Sequence, residues 1–489
     1  MACTATPAAN ACRAPAARSS EPMAVRWDVA VIGCGPVGAL LANLLGRRGH
    51  SVIVLEKRPA PYPLPRAIHF DGEAMRGFQA AGLAEAVLSA TVVGKGMRFL
   101  DGAGEVLLDW PRAQEPGPLG WHESYRFHQP SLEAALRRGL ERFAAVELVE
   151  GREVVGVAEG ADAVVLRLAG GGEVRARFAV ACDGASSRLA ARIAGGFEDL
   201  GFDERWIVAD VRVTAPRGDL GDLSLQFCDS RAPATYVRGI RDWRRWEARL
   251  MPGDPEDMEP RAAWERLVAA RGIGGVTLER AAIYRFRSRV ARRWRQGRLF
   301  IAGDAAHQMP PFMGQGLCAG VRDAVNLAWK LSARLAGRGD EALLDSYGSE
   351  RRANVLEFIR RSVALGRLIN RSAGGAPPAR RMTSIWPPLG PGLGPRDGIG
   401  GTLCPQPRLA GGRLGDDVAG HGFHVLAQGA ARSLLPVLPA PAELRLPATL
   451  QGVVVRPDGY ALGGFADAAS LGALEQSAAA HAPAPVVAA

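Results

Sequence analysis

Three glycine-bearing clusters hold the residues whose types and spacing could do chemistry. The first, Gly33-Cys-Gly-Pro-Val-Gly38, has the G-x-G-x-x-G spacing and is followed by Glu56 and Lys57. Gly33 permits a tight turn, Gly35 lets a pyrophosphate approach the backbone, and Gly38 lets a helix pack closely on a strand. Pro36 and Val37 would open that helix, whose amide end attracts phosphate, and Glu56 can accept from ribose hydroxyls. The second cluster is Gly303-Asp304, with Pro310-Pro311 and Gly314-Gln-Gly316-Leu317 downstream. Asp304 at a strand tip suits the hydroxyls of a ribityl chain. Bare amides at Gly314 and Gly316, ahead of a long helix, would stabilise negative charge on the N1 and C2 carbonyl side of a reduced isoalloxazine. The third, Asp183-Gly184, repeats the pattern of a strand delivering a carboxylate, so two loops are expected to close on one extended ligand.

Other candidates are single residues. Arg66 in Pro65-Arg-Ala-Ile-His69 could pair bidentately with a pyrophosphate, or be a surface arginine. Gln129, just before a helix, is a candidate contact to ribityl or phosphate, or a polar helix start. His69 could face the flavin edge or a substrate, against a purely structural histidine. Tyr236 and Arg238 share a strand face by the period of two, as do Arg285, Arg287 and Arg289. Either set could hold an anion or a phenol, and a solvated face is the alternative for the arginines.

The elements that must position these residues follow from the hydrophobic pattern. Val29 to Ile32 reads as a strand, the helix after it runs to about Arg47, and Ser51 to Leu55 is a second strand. Leu299 to Ala302 is a buried strand. The helix after Gly316 has apolar positions at Val321, Ala324, Val325, Ala328, Leu331 and Leu335. Short alternating strands fill Val154 to Cys182. Strand-like runs between Phe202 and Val290 suggest an antiparallel sheet, with Pro252 to Pro260 as a linker before a helix at Ala262 to Ala270.

At 489 residues with 47% hydrophobic content, the chain can bury a sizeable core in two or three domains. Its formal charge of +10 comes from scattered arginines, with Lys57, Lys95 and Lys330 the three lysines. That is a composition bias and not a nucleic-acid surface. Seven dispersed cysteines without a C-x-x-C pair indicate neither a disulfide framework nor a metal site. No apolar run is long enough to span a bilayer, and the expected location is cytoplasmic, with a homodimer as an assembly the sequence permits.

The three clusters in this order resemble the single-component FAD-dependent aromatic hydroxylases over about Trp27 to Asn370. Arg66-Ala-Ile-His69, Asp203-Glu-Arg-Trp-Ile-Val208, Arg244-Arg-Trp-Glu247, Arg322-Asp-Ala-Val-Asn-Leu-Ala-Trp-Lys330 and Val455-Arg-Pro-Asp-Gly-Tyr460 are similar to the 3-(3-hydroxyphenyl)propionate hydroxylase branch. The resemblance implies an α/β fold: a Rossmann-like FAD domain of the p-hydroxybenzoate hydroxylase type, an antiparallel-sheet substrate domain and a short C-terminal α/β appendage. Composition marks a disordered tail (1–24), rich in Ala, Pro and Ser, and a Gly/Pro-rich linker (373–420), and with the resemblance this divides the rest into an FAD domain (25–200 and 291–372, with part of 92–125 joining the substrate sheet), a substrate domain (201–290) and a shortened thioredoxin-like appendage with a tail (421–489).

The implied reaction uses NADPH or NADH as a transient co-substrate. Dioxygen forms a flavin C4a-hydroperoxide, which hydroxylates a phenolic substrate. Asp183 and Asp304 would contact FAD, and Pro310-Pro311 would lie beside the reacting ring, its carbonyls accepting from the phenol or from species bound at flavin N5. No family motif fixes the group that activates the phenol, and His69 and Tyr236 are the candidates among this chain's own residues. A tailoring oxygenase for polyketide rings and a non-catalytic FAD redox sensor are the competing readings. A flavin halogenase is disfavoured because Trp243-Arg-Arg-Trp246 lacks the W-x-W-x-I-P spacing.

Overall fold

The structure, a computed structural model, describes residues 26–215, 221–370, 381–395 and 397–487. The expected tail over 1–24 lies outside them, as does 373–380 of the expected linker. No helix among the described residues is long and apolar enough to cross a membrane.

Val29, Ala30 and Val31 have no exposed surface, because the strand Trp27–Ile32 lies inside a parallel ladder covered on both faces. Val52–Glu56 pairs on one side of it and Glu173–Ala181 on the other. Leu299–Ile301 and Val146–Glu150 extend the ladder outward, both parallel. Ile32 is in register with Ala181, and Ala181 with Ile301. Parallel strands release their carboxyl ends along one edge. Gly33, Asp183 and Gly303, far apart in sequence, therefore emerge side by side.

The second sheet runs in the order His307–Gln308, Val276–Ala291, Phe197–Val213, Trp243–Arg249, Ala234–Arg238, Ser224–Phe227, Gly96–Leu100, Val106–Pro111. One face packs Ile207, Ala209, Tyr236 and Trp246 against Trp264 and Leu267 of the helix Pro260–Arg271. The alternate residues Val208, Glu247, Thr235 and Gln226 point the other way, into a cavity. The stretch Pro252 to Pro260 is not a free linker. Arg205 donates to the carbonyls of Asp254, Pro255 and Glu256 at 2.8–2.9 Å, and Arg266 pairs with Asp254, so the loop is pinned to the sheet.

At the C-terminal end, Val437–Pro439, His424–Ala427, Gly452–Val455 and Ala461–Phe465 form a four-stranded sheet with the helix Ala468–Ala480 against it. Its junction with the rest is buried and combines an apolar cluster, in which Trp329, Ala333 and Leu343 pack with Phe423, Val425 and Leu462, with a set of polar contacts. Glu350 accepts from Lys330 at 2.6 Å and from both terminal nitrogens of Arg456, and Arg456 also meets Asp458. Arg76 forks onto Asp416, and the Tyr460 hydroxyl donates to Glu73 at 2.6 Å.

The described part of 381–420 is accordingly packed chain and not a loose linker. Gly390 lies so near the helix Glu341–Ile369 that a Cβ would come within 2.3 Å of the Ser349 carbonyl. Glycine and proline there remove regular structure while allowing close backbone approach. The tail after Ala480 is tied down as well, through Arg48 to the Ala484 carbonyl and Val487 N–H to the Arg47 carbonyl.

Candidate active site

The glycine turn is shaped by what surrounds it. A Cβ on Gly33, at φ +96°, would sit 2.6 Å from the Cys182 carbonyl, and one on Gly38 would sit 2.0 Å from the Gly33 carbonyl. A Cβ on Gly35 would meet nothing within 4 Å, so its surroundings are open to a pyrophosphate at the start of the helix Pro36–Gly46. Val37 packs its side chain against Gly303 and Gly320, which leaves its backbone as the part that could meet a ligand. Glu56 accepts from the Cys34 amide at 2.8 Å and the Arg58 amide at 3.0 Å.

Asp183 has a buried Oδ1 with no partner. Burial raises its pKa, opposed by the Ser187 hydroxyl and by exposed Lys57. Such an orphaned acceptor is costly unless a ligand donor reaches it, and beside Gly184 at φ +84° it fits a polyhydroxyl chain. Arg66 is exposed at the cavity mouth, 5.4 Å from the Tyr62 ring.

Gln129 departs from the expectation of ligand contact. Its buried side-chain oxygen accepts from the Arg66 and Ala67 amides at 2.9 and 2.6 Å, and its amide donates to Glu133 at 2.6 Å. Both lone pairs are used in holding the loop that carries Arg66.

The second cluster is held from below by Asp323 of the helix Gly316–Leu335. Its carboxylate accepts from the Gly303 amide at 3.0 Å and from Arg351 at 2.9 Å, and meets His307 Nε2 at 2.7 Å. Burial pushes its pKa up, yet His307 and Arg351 outweigh that and hold it below the usual range. Asp304 opens onto the cavity but lies deep among protein atoms, and this desolvation raises its pKa.

Gly314, at φ +64°, could not carry a side chain, because a Cβ would come 2.7 Å from His69 Nδ1. Gly316 begins the helix with nothing within 4 Å of its Cβ position, and Leu317 lines the cavity beside it. The carbonyls of Pro310 and Pro311, expected as acceptors for the substrate, already hold donors: Ser362 Oγ at 2.7 Å and the Gly314 amide at 2.8 Å.

Between this loop and the second sheet lies a cavity of about 420 Å³, within the usual range for small-molecule sites. His69 and Pro311 line it. His69 Nδ1 is 3.3 Å from the Gly314 carbonyl. A carbonyl can only accept, so Nδ1 carries the proton and Nε2 keeps its lone pair. Burial, aided by the nearby Arg112 charge, depresses this histidine to about 4.

Tyr236 corrects the sequence reading. It has no exposed surface and packs at a tilt against Trp246 in the core under the helix Pro260–Arg271, while its strand neighbours Thr235 and Val237 face the cavity. A period of two groups Tyr236 with Arg238 but leaves open which face of the strand becomes core. Arg285 and Arg287 do reach the cavity rim, paired with Asp203, whereas Arg289 meets Gln308.

The wall also carries residues the sequence reading missed. Glu247 is buried there, with Arg245 Nη1 3.9 Å away and a pKa raised by desolvation. Arg126 lies directly across from His69 in the pairing of His69–Asp71 with Ser124–Phe127. Charged residues on either side of an aromatic in Arg245-Trp-Glu247, and an arginine between two aromatics in Tyr125-Arg-Phe127, were the available signal.

Residues 26–362 match the family model described as FAD binding domain. The chain is 40% identical over 348 residues to a protein of Rhodococcus jostii (strain RHA1) named "Probable NADH-specific resorcinol 4-hydroxylase", covering 70% of this chain and 65% of the relative. It is 35% identical over 385 residues to a 3-(3-hydroxy-phenyl)propionate/3-hydroxycinnamic acid hydroxylase of Mycobacterium avium (strain 104), covering 74% and 65%. The chain thus spans just under two thirds of the length of these curated relatives. In fold it is similar to the ternary complex of aklavinone-11 hydroxylase with FAD and aklavinone, at a TM-score of 0.74 and 22% identity over 94% of this chain and 99% of that one. With an open glycine turn, an orphaned acceptor at Asp183 and this match over most of its length, the chain belongs to the FAD binding domain family, and FAD is the dinucleotide it binds.

Proposed function

We propose that the protein is an FAD-dependent monooxygenase that hydroxylates a phenolic ring, similar to 3-(3-hydroxyphenyl)propionate, using NADH or NADPH and dioxygen. The observation that carries this reading is the cavity between the loop 303–317 and the second sheet, with a neutral His69 on its wall. FAD, when bound, supplies the transfer of two electrons from the nicotinamide and the activation of dioxygen.

The chain's own residues would do the rest. The Gly314 amide is spent on the Pro311 carbonyl, so it is the amide of Gly316, at the positive end of the helix, that favours negative charge on the adjacent ring system. The lone pair on His69 Nε2 can accept from a phenol hydroxyl and so raise electron density on the ring to be attacked. Gln129 positions Arg66 for the pyrophosphate, and Asp183 and Asp304 take the hydroxyls of the bridging chain. The names of the relatives, which act on resorcinol and on hydroxyphenylpropionate, support the substrate class.

The test is oxidation of NADH and of NADPH in air by the FAD-loaded protein, with and without 3-(3-hydroxyphenyl)propionate or resorcinol, with released peroxide recorded. Strong stimulation with little peroxide is expected. Failure of both phenols to stimulate would reject this substrate class and redirect the search to larger aromatic ring systems.

A further inference from the structure

Most arginines on the cavity wall have an acid beside them. Arg245 holds Asp210 at 2.7 Å, Arg112 has Glu123 at 3.8 Å, and Arg285 and Arg287 share Asp203. Arg66 is exposed and stands at the mouth. Arg126 differs from all of these. It is 5% exposed, lines the cavity, and donates only to two main-chain carbonyls, those of Arg238 and, at 3.0 Å, Gly96. Among the described residues no carboxylate lies within ion-pair distance of it.

A buried guanidinium without a counter-charge is costly. Burial lowers its pKa to about 10, with Arg238 and Arg244 adding repulsion that Tyr236 and Asp222 partly offset from a distance; Asp222 is itself paired with Lys95 and Arg238, and the Arg126 side chain stays charged at neutral pH. Two of its five N–H groups are spent on the carbonyls, and both of those bonds fix the head in place without neutralising it. A rigid, charged, unneutralised donor in a cavity is a site for an anion.

Its neighbours agree with that. Ser124 lies two residues earlier on the same strand face and lines the same cavity. Ser224 Oγ already accepts from the Arg238 amide at 3.1 Å, which leaves its hydroxyl proton for an acceptor in the cavity. His69 is the direct cross-strand partner of Arg126, so a ring whose hydroxyl faces the histidine would point a short acidic side chain along the arginine.

We propose that Arg126 is the specificity-determining residue of the cavity, binding the carboxylate of a hydroxyaryl acid and selecting it over neutral phenols. The ring orientation rests on the hydroxylase reading above, whereas the anion site itself does not.

The experiment titrates the full FAD-loaded chain with 3-(3-hydroxyphenyl)propionate and with its neutral counterpart 3-(3-hydroxyphenyl)propan-1-ol, following the change in flavin absorption. Wild type should bind the acid roughly 10- to 100-fold more tightly than the alcohol. Arg126→Met should abolish that preference and leave the alcohol nearly unchanged, and Arg126→Lys should restore part of it. Using the ratio cancels any general loosening from the lost carbonyl bonds.

Equal affinity of wild type for the two ligands would overturn the proposal even if no variant folded. So would an Arg126→Met protein that weakens acid and alcohol alike, which would make the residue a strand clamp. A wild type that shows the acid preference but hydroxylates neither ligand would reject the hydroxylase reading and keep the anion site.

Discussion

His307 Nε2 and Asp323 Oδ2 stand 2.7 Å apart in full burial, and the same oxygen receives the Gly303 amide. One carboxylate thus fixes both ends of the short segment that presents Asp304. Asp323→Asn keeps the shape but leaves Arg351 buried without its charge partner, a change of roughly 3–5 kcal/mol. The expected outcome is a lower melting temperature in the FAD-free protein and weaker FAD binding, read by thermal unfolding and flavin titration. Because the folded pKa of Asp323 lies below its ordinary 3.8, its stabilisation is present above pH 3.8 and is lost as the pH falls through the folded value.

His69 titrates near 4 in the folded chain against an ordinary 6.5. The unfolded chain therefore binds more protons between these values, and this residue makes the wild type lose stability as the pH falls from about 6.5 to about 4. His69→Gln should remove that part of the slope in melting temperature against pH. Under the proposed role it should also lower kcat on a phenol with little change in FAD affinity. Unchanged kcat would leave His69 a structural residue.

Glu247 has its carboxyl pKa raised by burial. A raised folded value means that stability is full below the unfolded pKa, near 4.5, and declines as the pH rises through the folded one. Glu247→Gln should match the wild type near pH 4 and exceed it in melting temperature at pH 8. A constant difference across that range would mean that the charge is compensated.

The glycine turn separates folding from binding. Gly35→Ala places a methyl where nothing lies within 4 Å, and Gly38→Ala forces one to 2.0 Å from the Gly33 carbonyl. The first variant should fold with near-normal stability and bind FAD at least roughly tenfold more weakly, since the methyl occupies the approach to the helix amides. The second should be destabilised before any ligand is added. Thermal unfolding with and without FAD distinguishes them.

Glu350 joins the C-terminal sheet to the two long helices through Lys330, Arg456 and Asn326. Glu350→Gln leaves a buried lysine and arginine with less counter-charge, at a cost of about 3–5 kcal/mol. Limited proteolysis should then cut first in the region around 381–420, while the FAD-binding core persists.

The sequence by itself determined the glycine turn and the strands that carry Gly33, Asp183 and Gly303, because each is a short apolar run ended by a residue that only a turn tolerates. It also determined the long helix after Gly316, through an apolar stripe of helical period. That two of their loops close on one ligand was the expectation, and the parallel ladder register is what brings all three to one edge.

Tertiary structure alone decided which face of each strand sees the cavity. A period of two places Tyr236 and Thr235 on opposite faces, but the helix Pro260–Arg271 settles which face becomes core. Gln129 is spent on a loop over 60 residues away in sequence, and Arg126 and His69 become neighbours through strand pairing. Buried polar groups are defined by partners distant in the chain. Local pattern determines where a side chain can point, and long-range packing decides what it meets.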